Sequence, residues 1–168
     1  HLSPLALRLE MKKGIENSTL INDGYNISYS SLVLSLEYLK AQAKAFPTTL
    51  IITEIPETPF SDSKLIELIN SSEVNRLLVV GTDKINGLDK EIELVQYYST
   101  TELLAQLKEF SFRDHYVLIK GSRHHRLEQV AKVLEEKNHR TVLEISLNQL
   151  SDNLAIYRKK IAPTTKLM

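Results

Sequence analysis

The sequence predicts an α/β domain: a mainly parallel, Rossmann-like sheet with helices on both faces, followed by a short C-terminal strand-helix extension. Three observations carry this. Short apolar runs alternate with helical stripes across residues 19–137, as in parallel strands joined by helical crossovers. The run Leu77-Leu78-Val79-Val80-Gly81 is apolar at every side-chain position, which suits a strand covered by helices on both sides. The chain has 168 residues, 42% hydrophobic and 25% charged, the size and apolar content of one folded domain.

The elements follow in order. Leu7, Leu9 and Met11 alternate with Arg8, Glu10 and Lys12, a half-exposed strand that Gly14 ends. Thr19–Asn22 is a short apolar strand. Leu32, Leu36, Leu39 and Ala43 share one helix face, and Pro47 closes that unit. Thr49–Ile55 forms the next strand, with Pro56 and Pro59 stiffening the loop after it. Leu65, Ile66 and Ile69 mark a short amphipathic helix, and Leu77–Gly81 a buried strand. Ile92–Tyr98 is another strand. Ser99 and Glu102 form a capping box, each satisfying the other's free amide, ahead of a helix with Leu103, Leu104, Leu107 and Phe110. Tyr116–Ile119 is the last core strand. Leu127, Val130, Ala131 and Leu134 mark the helix that follows it.

Composition narrows the function classes. Twenty-one Lys and Arg balance 21 Asp and Glu, without the basic excess of a general nucleic-acid binder. The absence of cysteine excludes disulfide scaffolds, thiolate zinc sites and thiol nucleophiles, and it suits a reducing cytoplasm. No apolar run approaches the roughly 20 residues of a membrane span, and the start lacks a signal-peptide pattern. The charge is uneven. Residues 1–138 carry 16 Lys and Arg against 19 Asp and Glu, whereas residues 139–168 carry 5 against 2. Both chain ends read as cuts through a longer protein.

In an open α/β sheet, ligands gather beyond the carboxyl ends of the strands, so the residues after each strand are the candidates. Asn22-Asp23-Gly24-Tyr25-Asn26 follows the first core strand. A carboxylate there can accept two ribose hydroxyls or bind a cation; equally, Asn22 or Asp23 can form an Asx-turn or cap the next helix. Lys120-Gly121-Ser122-Arg123 follows the last core strand. Gly121 and Ser122 at a helix start, with cations on either side, would make a phosphate or carboxylate cradle; the alternative is a plain surface cap. Neither GxGxxG nor GxxxxGK[ST] occurs. The five histidines form no metal constellation, since adjacent His124 and His125 on a helix point about 100° apart. The Tyr97-Tyr98 pair reads as packing.

Asn22-Asp23-Gly24-Tyr25-Asn26, with Ser31 beyond it, resembles the Asp-x-Tyr-Asn-x-Asn-Pro-x-Ser motif of the C-terminal domain of Mur ligases. The resemblance is to the MurF type, the UDP-N-acetylmuramoyl-tripeptide:D-alanyl-D-alanine ligases. Arg8-Leu9-Glu10, Leu77–Gly81 and Lys120-Gly121-Ser122-Arg123 match that family in the same order, covering residues 1–138. Residues 139–168 resemble the start of an alanine racemase: Thr141–Leu150, then Asn153-Leu154, Arg158, Pro163 and Lys166-Leu167-Met168. Ligase followed by racemase resembles the bifunctional fusions of Bacteroidetes type. Two places depart from the family. Its Ala-Asn-Pro is here Ile27-Ser28-Tyr29, and its Gly-Asp-Met-x-Glu-Leu-Gly is here Thr53-Glu54-Ile55-Pro56-Glu57-Thr58, so Glu54 and Glu57 inherit no role.

The resemblance implies an ATP- and Mg2+-dependent cytoplasmic ligase that joins D-Ala-D-Ala to UDP-MurNAc-tripeptide in peptidoglycan synthesis, fused to a racemase that uses pyridoxal phosphate. This chain would supply the closing domain and no catalytic residue. Arg8 and Asp23 would face the nucleotide. Tyr25, Asn26, Lys120, Ser122 and Arg123 would position phosphate or dipeptide. The chain alone is expected to be inactive and to bind no cofactor, metal, nucleic acid or membrane. Residues 139–168, with the stripe Leu147, Leu150, Leu154, Tyr157 and Ile161, are expected to seek a covering surface such as a homodimer contact. The alternatives are a receiver-like phosphoacceptor domain, with Asp23 and Lys120 in its acid pocket, and a non-catalytic connector.

Overall fold

The computed structural model describes residues 9–24, 27–81, 83–136, 154–156 and 158–160. The chain divides into two compact units, His1–Glu136 and Lys137–Met168. In the second, residues 154–156 and 158–160 are helical, and Leu154 and Ile156 are exposed. The strand expected in this extension, the racemase-like run at 141–150 and the rest of the apolar stripe lie outside the described residues.

The first unit holds a six-stranded sheet: β1 (Glu10–Lys13), β2 (Thr19–Asn22), β3 (Thr48–Thr53), β4 (Arg76–Val80), β5 (Glu93–Tyr97) and β6 (Tyr116–Lys120). The spatial order is β1-β2-β6-β3-β4-β5. Only β1 runs antiparallel to its neighbour; every other pair is parallel. The expected Rossmann-like layout is therefore present, with an antiparallel edge strand added. Counted among the parallel strands alone, the order is 1-5-2-3-4. A receiver-like sheet runs 2-1-3-4-5, and this strand order sets that alternative aside.

Among the described residues, four α-helices cover the sheet: α1 (Tyr29–Ala43), α2 (Ser63–Ser71), α3 (Thr100–Gln106) and α4 (Glu128–Leu134). Alternate strand residues feed two separate cores, because successive side chains point to opposite faces. Ile21, Leu50, Ile52, Leu77, Val79 and Leu118 pack with Leu32, Leu36 and Leu39 of α1 and Leu65 and Ile69 of α2. Leu20, Ile51, Leu78, Val80, Val117 and Ile119 pack with Leu103 of α3 and Val130, Ala131 and Leu134 of α4. This is why the central strands read as unbroken apolar runs.

Two caps differ from the sequence reading. Ser28, not Asn22 or Asp23, caps α1: its Oγ accepts from the Ser31 N–H (3.2 Å), and Ser31 Oγ accepts from the Ser28 N–H (3.0 Å). At α3, Ser99 Oγ accepts from the Glu102 N–H as expected (3.2 Å). The Glu102 carboxylate reaches one residue further back than a capping box requires and accepts from the Tyr98 N–H (2.8 Å).

At the amino end of the sheet, His115 Nδ1 lies 2.9 Å from Thr49 Oγ1 and the ring meets Phe112 edge-on. Burial first, then the nearby Arg76 guanidinium, hold this imidazole below its usual pKa; Glu93, Asp114 and Glu16 pull weakly the other way. The native state therefore resists protonation there. The resulting stability is complete above the unfolded value of about 6.5 and is lost as pH falls from that value through the lower folded one. Urea unfolding at pH 8 and pH 5 should show wild type losing more stability on acidification than His115→Gln. Equal losses would mean that His115 does not couple folding to protons.

Candidate functional site

Asp23 stands one residue past β2, where its N–H continues the sheet by donating to the Ile119 carbonyl (2.9 Å). Lys120 ends β6. Because β2 and β6 are parallel neighbours in the register Asn22↔Ile119, the two residues meet at the carboxyl edge. There Lys120 Nζ donates to Asp23 Oδ2 in a buried ion pair. Ser35 Oγ, on the inner face of α1, lies 2.6 Å from the same Oδ2 and 2.7 Å from the Ser31 carbonyl. Two elements of the sheet and one helix are thus tied at one oxygen. The Lys120 side chain is 1% exposed and that of Asp23 12% exposed.

This arrangement corrects one expectation about Lys120. It does not offer an ammonium to an open face; it holds Asp23. A buried ammonium next to a buried carboxylate is tolerable because each offsets the other's lost hydration and Ser35 adds a further donor. Both donors settle on Oδ2, so the carboxylate is fixed in orientation at the sheet edge. Asn22 takes the Asx-turn that the local residues allowed, its Oδ1 accepting from the Gly24 N–H (3.2 Å).

The segment after β6 also departs from expectation. Gly121 and Ser122 do not open an α-helix. Ser122 leads into a 3-10 turn at Arg123–His125, Arg126 adopts a left-handed conformation (φ 51°, ψ 41°), and α4 starts only at Glu128. The left-handed residue swings buried Leu127 into the core, and that breaks the helix expected to start here. The Ser122 N–H, expected to face an anion, donates instead to Thr53 Oγ1 at the end of β3 (3.1 Å). Arg123 is exposed in the 3-10 turn. Arg8, Tyr25 and Asn26 lie outside the described residues.

The loops after β3 and β4 meet beside this edge. Glu54 Oε1 accepts from the Asp83 N–H (3.2 Å) and its side chain lies against Gly81, where a Cβ would come within 2.3 Å of Glu54 Cγ. Gln96 donates to the carbonyls of Gly81 (2.9 Å) and Asp83 (2.8 Å). Glu54 thus organises backbone here. Of the Tyr97-Tyr98 pair, only Tyr97 packs inside; Tyr98 is 80% exposed. Among the described residues, no group of three or more His, Asp or Glu side chains could hold a metal ion, and no helix is long and apolar enough to cross a membrane.

Sequence reasoning placed Asp23 and Lys120 on this edge but missed Ser35 and Thr53. Ser35 carried a signal: it interrupts the buried stripe Leu32, Leu36, Leu39 at a position facing the sheet, and a hydroxyl there needs a partner. Thr53 carried none, because threonine at a strand end is ordinary.

No protein-family model matches the chain, and no curated protein matches it in sequence. Solved structures do match its fold. The MurF ligase of Thermotoga maritima in complex with ADP is 19% identical over 79% of this chain and 31% of its own, with a TM-score of 0.54. MurF from Acinetobacter baumannii is 17% identical over 78% of this chain and 30% of its own, with a TM-score of 0.58. A domain of a putative UDP-N-acetylmuramate:L-alanyl-γ-D-glutamyl-meso-diaminopimelate ligase from Haemophilus ducreyi is 14% identical over 76% of this chain and 97% of its own, with a TM-score of 0.57. The chain spans about a third of the MurF chains and nearly all of the isolated Haemophilus domain. The mostly parallel sheet with its paired Asp23 and Lys120 thus has the fold of one domain of Mur ligases.

Proposed function

We propose that the first unit is the closing domain of a Mur-type amide ligase, cytoplasmic and active in peptidoglycan synthesis. The observation that carries this reading is the Asp23 carboxylate, fixed by Lys120 and Ser35 at the carboxyl edge of a fold shared with MurF ligases. In the ligase reaction the terminal carboxylate of UDP-MurNAc-tripeptide is activated by ATP as an acyl phosphate, and the amine of D-Ala-D-Ala attacks it. This domain contributes positioning, not acid-base chemistry. Asp23 and Arg8 face the nucleotide, with the Asp23 carboxylate accepting its ribose hydroxyls. Ser122 and Arg123, with Tyr25 and Asn26, face the phosphate or the incoming dipeptide. Lys120 acts at one remove, by holding Asp23.

On this reading a nucleotide's ribose would meet the Asp23 carboxylate. The described residues include no ligand set for Mg2+, so that ion, like the P-loop, would belong to the rest of the ligase. Residues 139–168 are read as the start of a fused alanine racemase, an activity that would use pyridoxal phosphate. On this reading the chain alone turns over neither ligase, ATPase nor racemase substrates.

The test uses the full-length protein. Arg123→Ala is the variant, its folding checked by thermal melt. It should slow ligation roughly tenfold or more, the worth of one charge-assisted hydrogen bond, and leave racemisation unaltered. Unchanged ligation would remove Arg123 from the site. A full-length protein without ligase activity would overturn the whole reading.

A further inference from the structure

A second feature of the carboxyl edge lies outside the Asp23–Lys120 arrangement. Between the residues that follow β5 and the 3-10 turn after β6 there is a groove of about 280 Å³, lined by Tyr98, Ser99, Thr101, His124, His125 and Arg126 among others. Among the described residues no carboxylate lines it, although this unit carries an acidic excess overall. The nearest acid on α3, Glu102, is turned back onto the Tyr98 N–H. Among the described residues the Arg126 guanidinium makes no ion pair. The Thr100 hydroxyl donates to the His125 carbonyl and ties the 3-10 turn to α3, which keeps the two walls together.

We propose that this groove binds a small anionic ligand: a phosphate or carboxylate on Arg126, carried by a planar apolar body that lies on the Tyr98 ring. The chemistry selects that class. A guanidinium presents a fork of donors suited to either anion, and the Ser99 and Thr101 hydroxyls and the two imidazoles can add hydrogen bonds. The 80% exposed Tyr98 ring offers an aromatic face at the rim. The volume suits a fragment-sized molecule, just below the usual range for drug-sized ligands of about 300–1,000 Å³. The inference is independent of the ligase reading, because none of these groups is assigned to that reaction.

The experiment titrates the whole isotope-labelled chain with phenyl phosphate, phenylacetate and inorganic phosphate in separate arms, up to about 10 mM, where a fragment should approach saturation. Saturable amide shifts centred on residues 98–101 and 124–129 are expected with at least one phenyl probe. The phenyl arm that binds more tightly identifies phosphate or carboxylate as the preferred anion, and the inorganic phosphate arm measures what the ring adds. Arg126→Gly should weaken that binding at least about tenfold. Its melting temperature should hold or rise, since glycine adopts the left-handed backbone without strain. Tyr98→Ala should reduce the phenyl probe to the affinity of inorganic phosphate. Absence of saturation in all three arms, shifts scattered over the surface cations, or binding that survives Arg126→Gly would each overturn the proposal.

Discussion

Replacing Lys120 by methionine should lower the unfolding free energy of the first unit by about 3–5 kcal/mol, the usual cost of stranding one member of a buried ion pair. Methionine keeps the apolar stem in the core and removes only the ammonium. Asp23 would then be left almost fully buried with Ser35 as its one remaining donor among the described residues. For a unit of this size the melting temperature should fall about 3–5 °C per kcal/mol. The pairing makes a second claim. Lys120→Met combined with Asp23→Asn removes both charges, so the double variant should recover much of what the single variant loses. A coupling energy of roughly 2 kcal/mol or more is expected. Urea unfolding of wild type, both single variants and the double variant measures it. A loss under about 1 kcal/mol, or additive single effects, would mean that the pair is surface-like and that Asp23 is not held by Lys120. Asp23→Asn alone should also destabilise, since it strands the ammonium, so any ligand-binding defect of that variant has to be read beside its melt.

The architecture was open to the sequence because its signals are local. Thr19–Asn22 is recovered at both ends, and the apolar run at Leu77–Val80 falls inside β4. Helix α1 follows from Leu32, Leu36 and Leu39, all buried on one core. Strand ends then pointed to Asp23 and Lys120, because ligand-facing positions in such sheets come after strands. What the sequence could not show was that β6, last in the chain, inserts between β2 and β3. That adjacency is set by long-range packing, and without it an aspartate and a lysine 97 residues apart read as two separate ligand groups. The start of the last helix failed for a different reason. Gly121-Ser122-Arg123 has a good cap composition, yet burial of Leu127 requires the left-handed turn at Arg126. Tertiary packing overrides local propensity there.

Gly121→Ala should destabilise the first unit by roughly 1–3 kcal/mol, although alanine is among the smallest changes a glycine can undergo. The reason is close approach rather than an unusual backbone angle. A Cβ at Gly121 would come within 2.7 Å of both Leu127 Cδ1 and Thr53 Cγ2. Neither neighbour can yield easily: Leu127 is 2% exposed and Thr53 fully buried, and a β-branched side chain has few rotamers to escape into. The same Thr53 accepts from the Ser122 N–H through Oγ1, so pushing the two segments apart should break that hydrogen bond and shift Ser122 and Arg123 from the edge. Thr53→Ser removes the obstructing methyl and keeps the hydroxyl. In the Gly121→Ala background it should therefore restore part of the stability and the exchange protection of the Ser122 amide. In wild type the same change should only cost stability, by deleting a buried methyl. Gly24 is a fitting comparison, because a Cβ there meets only Asn22 Oδ1, at 3.1 Å, and Gly24→Ala should cost less. If Thr53→Ser lowers stability equally in both backgrounds, the contact with Thr53 is not what excludes a side chain at Gly121.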